Sequence, residues 1–192
     1  MLPEKYREKY FEFVEAWEKA EEVLKKVERI KNEVFIPSIN ELRYAGRRIV
    51  QAHSEYRSTL QNMGSGVASC QADHIDTHIT EAIENCRKAR HDAIDSAINF
   101  VHERLDKIVG AFGLTLVLQA FPEYRDLRIL IQDMDRKIVE SRGGRVKMDG
   151  NYEEMKQNHL DKLVEFSSLL ENSGVIIEQI AGEKKNDFFN RR

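Results

Sequence analysis

The longest regular pattern of apolar positions covers residues 71–112, a stretch without proline and without glycine before Gly110. Its apolar and small residues recur at steps of three and four, the period of one buried face of an α-helix. At about 1.5 Å per residue, the predicted helix is on the order of 60 Å long and needs packing partners along its length. Its inward positions are Ile75, Ile79, Ala82, Cys86, Ala89, Ala93, Ala97, Val101, Leu105, Ile108 and Phe112.

A second apolar pattern, near the start of the chain, alternates steps of four and three over three heptads and is flanked by Glu and Lys. We expect Pro37 to end this helix, because the residue before a proline is pushed out of the helical region. Ser38 and Glu41 then predict a capping box at the start of the next helix. The first seam is Tyr6, Tyr10, Phe13, Trp17, Ala20, Leu24 and Val27, and the inward face of the next helix is Ile39, Leu42, Gly46, Ile49, Val50, His53 and Leu60.

The remaining segments also have helical patterns. We expect residues 113–121 to be buried, a helix to start at Pro122, and a last helix to run from about Tyr152 to Ile180 with Gly182 as its C-cap. Segments near 61–70, 142–151 and 183–192 are expected to be flexible. Because no stretch alternates with period two, we predict an all-α fold: one domain over residues 1–192, an elongated antiparallel helical bundle with long heptad-patterned helices.

Composition and charge narrow the classes of function. The formal net charge of −3 gives no global attraction to nucleic acid or anionic lipid. Cys70 and Cys86 form no CxxC motif, and we expect reduced thiols in a cytoplasmic protein. The charged N-terminal segment and the short apolar runs predict neither a signal peptide nor membrane contact. The basic stretches 43–48 and 136–147 leave nucleic-acid binding open.

The predicted second helix carries Arg48, four intervening residues and then His53. This spacing resembles the Arg-x4-His signature of HEPN-type ribonucleases, all-helical proteins of bacterial defence and toxin systems. The resemblance implies a dimer with a composite site that cleaves RNA without metal, with His53 as general acid or base and Arg48 stabilising the charge of the transition state. The alternative, which the residues alone favour, is a core-facing His53 and an exposed Arg48.

A candidate metal site lies on the long helix. His74, His78 and Glu81 are spaced by four and three residues, which lets two imidazoles and a carboxylate converge on one ion, with His159 as a donor from another helix. The alternative is a solvated polar flank of the helix. We favour that interpretation and expect no cofactor.

Three classes of function therefore remain. We expect a helical interaction or assembly protein without a clear catalytic site, acting as a homo-oligomer or with a helical protein partner. The segments INELRYAGRR and NCRKARHDAID resemble parts of helical accessory proteins encoded beside bacterial defence or mobile-element enzymes, which implies such a setting. A HEPN-like ribonuclease and a metal-binding helical protein are the alternatives.

Overall fold

The protein is all-helical over the residues described by a computed structural model, 4–61 and 68–190. This part of the chain forms a short 3-10 helix and seven α-helices and has no β-strand, which confirms that the fold is all-α. The elongated antiparallel arrangement stays a prediction. Most of the expected flexible segment near 61–70 lies outside the described residues. The elements are the 3-10 helix Glu4–Tyr6, α1 (Arg7–Lys31), α2 (Ile36–Gln61), α3 (Ala68–Phe112), α4 (Leu114–Ala120), α5 (Tyr124–Ser141), α6 (Arg145–Asn158) and α7 (Leu160–Asn190).

The chain divides into two compact units. The first contains Met1–Lys25 and Val34–Ala93, and therefore most of α1, all of α2 and the first part of α3. The second contains Lys26–Glu33 and Ile94–Arg192, with the end of α3 and helices α4 to α7. The expectation of a single domain stays a prediction.

The inward face predicted for α3 is confirmed along most of its length. Its members from Ile75 to Leu105 are at most 2% exposed, as expected for apolar side chains at a helical period. In the first unit, Phe13, Ala20 and Leu24 of α1 are also buried. The steps of three and four therefore located the inward face of most of α3 and part of that of α1. In α1, Tyr10 and Trp17 are only half-buried, and Val23 and Ile30 are buried outside the predicted seam.

The junction between α1 and α2 differs from the prediction. Helix α1 ends at Lys31, and Asn32 adopts a left-handed conformation with φ of 56°. Pro37 does not end α1 but sits in the first turn of α2, where its missing N–H removes no helical hydrogen bond. The capping box predicted at Ser38 is wrong because Ser38 lies inside this turn; it is buried, and its Oγ has no hydrogen-bond partner among the described residues.

Helix α2 is also rotated relative to the predicted inward face. Leu42, Ala45 and Ala52 are buried, whereas Val50 is 67% exposed. A Cβ atom added to Gly46 would lie 3.9 Å from the ring of Trp17, an ordinary van der Waals distance, so Trp17 of α1 lies over this position of α2. The face of α2 that contains Ala45 and Ala52 is buried, and Val50 is turned outward.

In the second unit, helix α5 begins at Tyr124, two residues after the predicted start at Pro122, and α4 is only partly buried. Leu127, Leu130, Ile131 and Met134 form the buried face of α5. The prediction that residues 113–121 are buried throughout is wrong, because Leu114 is exposed and only Val117 and Phe121 are buried there. Helix α5 packs on α6 and α7, which also pack on each other.

The predicted last helix consists of two helices that meet at His159. Helix α6 begins at Arg145, inside the segment expected to be flexible, and α7 starts at Leu160 and continues through Gly182 to Asn190. Nε2 of His159 lies 2.8 Å from Oδ2 of Asp133 on α5, which ties the break to a neighbouring helix. Among the described residues, no helix is long and apolar enough to cross a membrane.

Candidate functional site

Two adjoining concave surfaces in the first unit follow the outer side of α2. Their volumes are about 470 and about 430 Å³, and Tyr44 and Arg47 line both, so the two surfaces adjoin at these side chains and together make up a depression along α2. Most lining residues come from α2, and α3 supplies two. We call this depression the arginine groove; it is lined by Asn40, Glu41, Arg43, Tyr44, Arg47, Arg48, Gln51, Asn85 and Lys88.

The arginine groove carries excess positive charge. It has four cationic side chains and one lining carboxylate, Glu41. Arg43 and Arg47 are exposed, and within the described part of the chain neither forms an ion pair with a carboxylate. Among the described residues, Arg43 has one side-chain hydrogen bond, of 3.3 Å from its Nη1 to Oδ1 of Asn40, which leaves most of its N–H groups available to a ligand.

Several other cations of the first unit form ion pairs with carboxylates. Carboxylate partners are present for Lys9, Lys19, Lys25 and Arg87. Mixed charges on a helical surface normally form such pairs, although each exposed pair contributes little to stability. Arg43 and Arg47 therefore differ from these four paired cations of the first unit.

Arg48 occupies the edge of the groove and has a carboxylate partner. Its Nε lies 2.9 Å from Oε2 of Glu81 on α3, and its Nη1 donates a 3.1 Å hydrogen bond to Oε1 of Gln51. The Glu81 carboxylate therefore competes with any anion that approaches Arg48 from the groove.

The predicted metal ligands lie beside this ion pair. The Nε2–H of His78 donates to Oε1 of Glu55 over 3.1 Å, and Nδ1 of His78 lies 3.8 Å from Oε2 of Glu81. Nδ1 of His74 is 4.0 Å from the same Glu55 oxygen. The structure thus brings His74, His78 and Glu81 close together, around a carboxylate of α2 that the sequence analysis did not single out.

A metal at this cluster stays a prediction. Among the residues that the structure describes, no three or more His, Cys, Asp or Glu side chains are arranged so that they could hold a metal ion. His78 is 17% exposed and has Glu55 as a hydrogen-bond partner. This hydrogen bond accounts for the orientation of its ring without a metal. The proposed fourth donor, His159, belongs to the second unit and bonds to Asp133 there.

Arg48 and His53, the predicted ribonuclease pair, have different surroundings. The ring of His53 packs edge-on against Tyr10 of α1, with 6.4 Å between centroids and 79° between ring planes, and the side chain is half-buried. Arg48 is engaged by Glu81 on α3. A catalytic role for the two residues stays a prediction, which loss of RNA cleavage in His53→Ala would test.

The second basic stretch, 136–147, lies in the second unit and is largely paired. Arg136 donates to Asp133, Lys137 lies 2.8 Å from Glu154, and Lys147 lies 3.6 Å from Glu140. Its cations are therefore less available to a ligand than Arg43 and Arg47.

Sequence reasoning missed Glu55, Tyr44 and Lys88. Glu55 is 23 residues from His78 and meets it only because α2 packs against α3, so no local spacing signals the pair. Tyr44 and Lys88 line the groove for the same reason. The run of arginines in α2 was the only sequence signal for this surface.

Comparison with known proteins adds no name to this site. Neither protein-family models, nor curated proteins, nor solved structures gave a match to the chain.

Proposed function

We propose that this chain is a helical interaction protein, and that the arginine groove is the surface with which it binds a nucleic-acid strand. The observation that carries the proposal is the pair Arg43 and Arg47, two exposed arginines on a concave surface without carboxylate partners in the described part of the chain. Guanidinium groups bind phosphate oxygens through paired, charge-assisted hydrogen bonds. This attraction is local, since the net charge is −3.

The length of the groove favours a linear polyanion over a single phosphate. Its α2 residues extend from Asn40 to Gln51, which corresponds to about 16 Å along the helix axis. A strand lying along this path can meet Arg43 and Arg47 of α2 and Lys88 of α3. Asn40, Gln51 and Asn85 add uncharged groups that can hydrogen-bond with sugars and base edges.

The proposal can be tested by fluorescence anisotropy with a labelled oligouridine at low salt. We expect the double variant Arg43→Ala/Arg47→Ala to lose about tenfold or more in affinity, because two phosphate contacts disappear. Arg125→Ala is the matched control: Arg125 is an exposed arginine of α5 in the second unit with no ion pair among the described residues. The affinity of Arg125→Ala for oligouridine should equal that of the unmodified chain.

Salt dependence gives a second readout of the same contacts. Three phosphate contacts to a single strand predict a slope of about −2 in a plot of log K against log salt concentration. Absence of binding at low salt, or equal affinity in the double variant, would contradict the proposal. Equal affinity for a polyglutamate peptide would overturn the assignment to nucleic acid and indicate an acidic protein partner.

Self-association, expected from the long apolar faces of the helices, remains part of the proposed interaction function. Light scattering on a sizing column measures it directly. A mass of one chain across the accessible concentration range would remove the homo-oligomer from the proposal.

A further inference from the structure

We infer that the arginine groove selects single-stranded over double-stranded nucleic acid, because Tyr44 provides a platform on which an unpaired base stacks. This inference rests on the proposed function and names the form of nucleic acid that the groove takes. Tyr44 lines both halves of the groove and is 55% exposed, so its ring borders the path of a bound strand.

Tyr44 differs from the aromatic residues that pack in the first unit. In the first unit, Tyr10, Phe13 and Trp17 pack in a row with 5.9 to 6.0 Å between neighbouring ring centroids, and Tyr6 is buried. Tyr44 has no ring contact and no hydrogen bond to its hydroxyl within the part of the chain that the structure describes. The packing of the first unit therefore leaves the ring of Tyr44 available to a ligand.

Tyr44 lies next to arginines on the surface of α2, so one strand can stack a base on its ring and bind phosphate beside it. Arg47 and Arg48 follow it by three and four residues, and Asn40 precedes it by four, so all three are its neighbours on the helix surface. A base stacked on the ring thus places its backbone phosphates near Arg47. Proteins that bind single strands combine a positive groove with aromatic stacking in this way, and each stacked base contributes about 1–3 kcal/mol.

Duplexes cannot use this contact, because their bases are stacked on each other and expose only edges in the grooves. A duplex can still meet Arg43, Arg47 and Lys88 through its phosphates. We therefore expect binding of both forms at low salt, with Tyr44 adding affinity for the single strand alone.

The test measures the affinity of three proteins: the unmodified chain, Tyr44→Ala and Tyr44→Phe. Each is titrated with four ligands: oligouridine, oligothymidine, a blunt duplex and inorganic polyphosphate. We expect Tyr44→Ala to lose about fivefold or more in affinity for both single strands and to leave the affinities for duplex and polyphosphate unchanged. Tyr44→Phe keeps the ring and should retain single-strand affinity. Because Tyr44 is exposed, we expect the melting temperatures of both variants to stay close to that of the unmodified chain.

The outcomes separate this inference from the proposed function. If single strands, duplex and polyphosphate bind equally and Tyr44→Ala changes none of them, the stacking inference is wrong while the phosphate site stands. If no ligand binds, the proposed function itself fails. A preference for oligouridine over oligothymidine would identify RNA as the strand, and equal affinity would extend the site to DNA. Either result supports stacking if Tyr44→Ala lowers the affinity for the single strands.

Discussion

Oε2 of Glu81 lies 2.9 Å from Nε of Arg48, so a carboxylate of α3 neutralises an arginine at the edge of the arginine groove. The same oxygen lies 3.8 Å from Nδ1 of His78, whose other ring nitrogen bonds to Glu55. Glu81 therefore connects the groove to the histidine cluster. A phosphate that binds Arg48 must compete with it.

The first prediction concerns this competition. Glu81→Gln keeps the size of the side chain and removes its charge, so Arg48 becomes available to the ligand. We expect affinity for oligouridine, measured by anisotropy, to rise by up to about fivefold, since an exposed ion pair contributes up to about 1 kcal/mol. Glu84→Gln is the control, because Glu84 pairs with Arg87 and does not line the groove. Unchanged or weaker binding in Glu81→Gln would argue against a role for Arg48.

The second prediction compares two glycines. Gly46→Ala places a methyl group in ordinary contact with Trp17, 3.9 Å from its ring, in the interior of α2. We expect the free energy of unfolding to rise by about 0.5–1 kcal/mol, because alanine is the better helix former. Gly113→Ala should lower it by about 1–3 kcal/mol, because φ at Gly113 is +80° and this conformation strains any residue with a Cβ atom. Urea unfolding measures both; destabilisation by Gly46→Ala would show that the α1–α2 contact is tighter than described.

The third prediction concerns Asp133 in the second unit. The hydrogen bond from Arg136 holds the pKa of this carboxyl below its ordinary value of 3.8, with further help from His159 and Lys137, while burial opposes the shift. A depressed pKa in the folded state stabilises the fold above the unfolded value, and this contribution disappears as the pH falls through the folded value. We expect the difference in the free energy of unfolding between the unmodified chain and Asp133→Asn to shrink below about pH 4.

The matched control for this prediction is Asp126→Asn. Asp126 is an exposed aspartate of α5 and has no ion pair among the described residues. Its substitution should change stability little at any pH. A difference for Asp133→Asn that stays constant from neutral to acidic pH would contradict the account of its pKa.

The fourth prediction concerns the thiol of Cys86. This residue is fully buried in the first unit, and burial raises the pKa of its thiol to about 12. Because the thiolate is the reactive form, we expect Cys86 to resist Ellman's reagent in the native state and to react promptly in guanidinium. A Cys70→Ser background leaves Cys86 as the only thiol in the measurement. Prompt labelling of the native protein would show that the core opens around α3.

Positions that depend on local spacing were predicted from the sequence, and positions that depend on contacts between helices were not. Positions from Ile75 to Leu105 were predicted correctly because one periodic face on a long helix depends only on local spacing. Val50 was misplaced because the face that α2 buries depends on its packing against other helices, among them α1 with Trp17 near Gly46, and not on spacing within α2. The break at His159 was missed for a similar reason, since its partner Asp133 lies 26 residues away on α5.

The candidate site was predictable only in part. Arg48, His74, His78 and Glu81 were named as members of two separate sites, and the structure brings them together: Glu55 contacts both histidines, and Glu81 contacts His78 and Arg48. Their relation depends on the packing of α2 against α3, which no spacing within one helix encodes. The structure was likewise needed to show that Arg43 and Arg47 lack carboxylate partners among the described residues, whereas cations such as Lys9 and Arg87 have them.

The central claim is that a strand binds along the arginine groove, and photo-crosslinking tests it most directly. Oligouridine with a photo-reactive base is irradiated with the full chain, and the attached peptides are identified by mass spectrometry. We predict crosslinks within residues 40–51, with Tyr44 among the modified positions, and their loss in Arg43→Ala/Arg47→Ala. Crosslinks confined to the basic stretch 136–147 of the second unit, unchanged in the double variant, would contradict the claim.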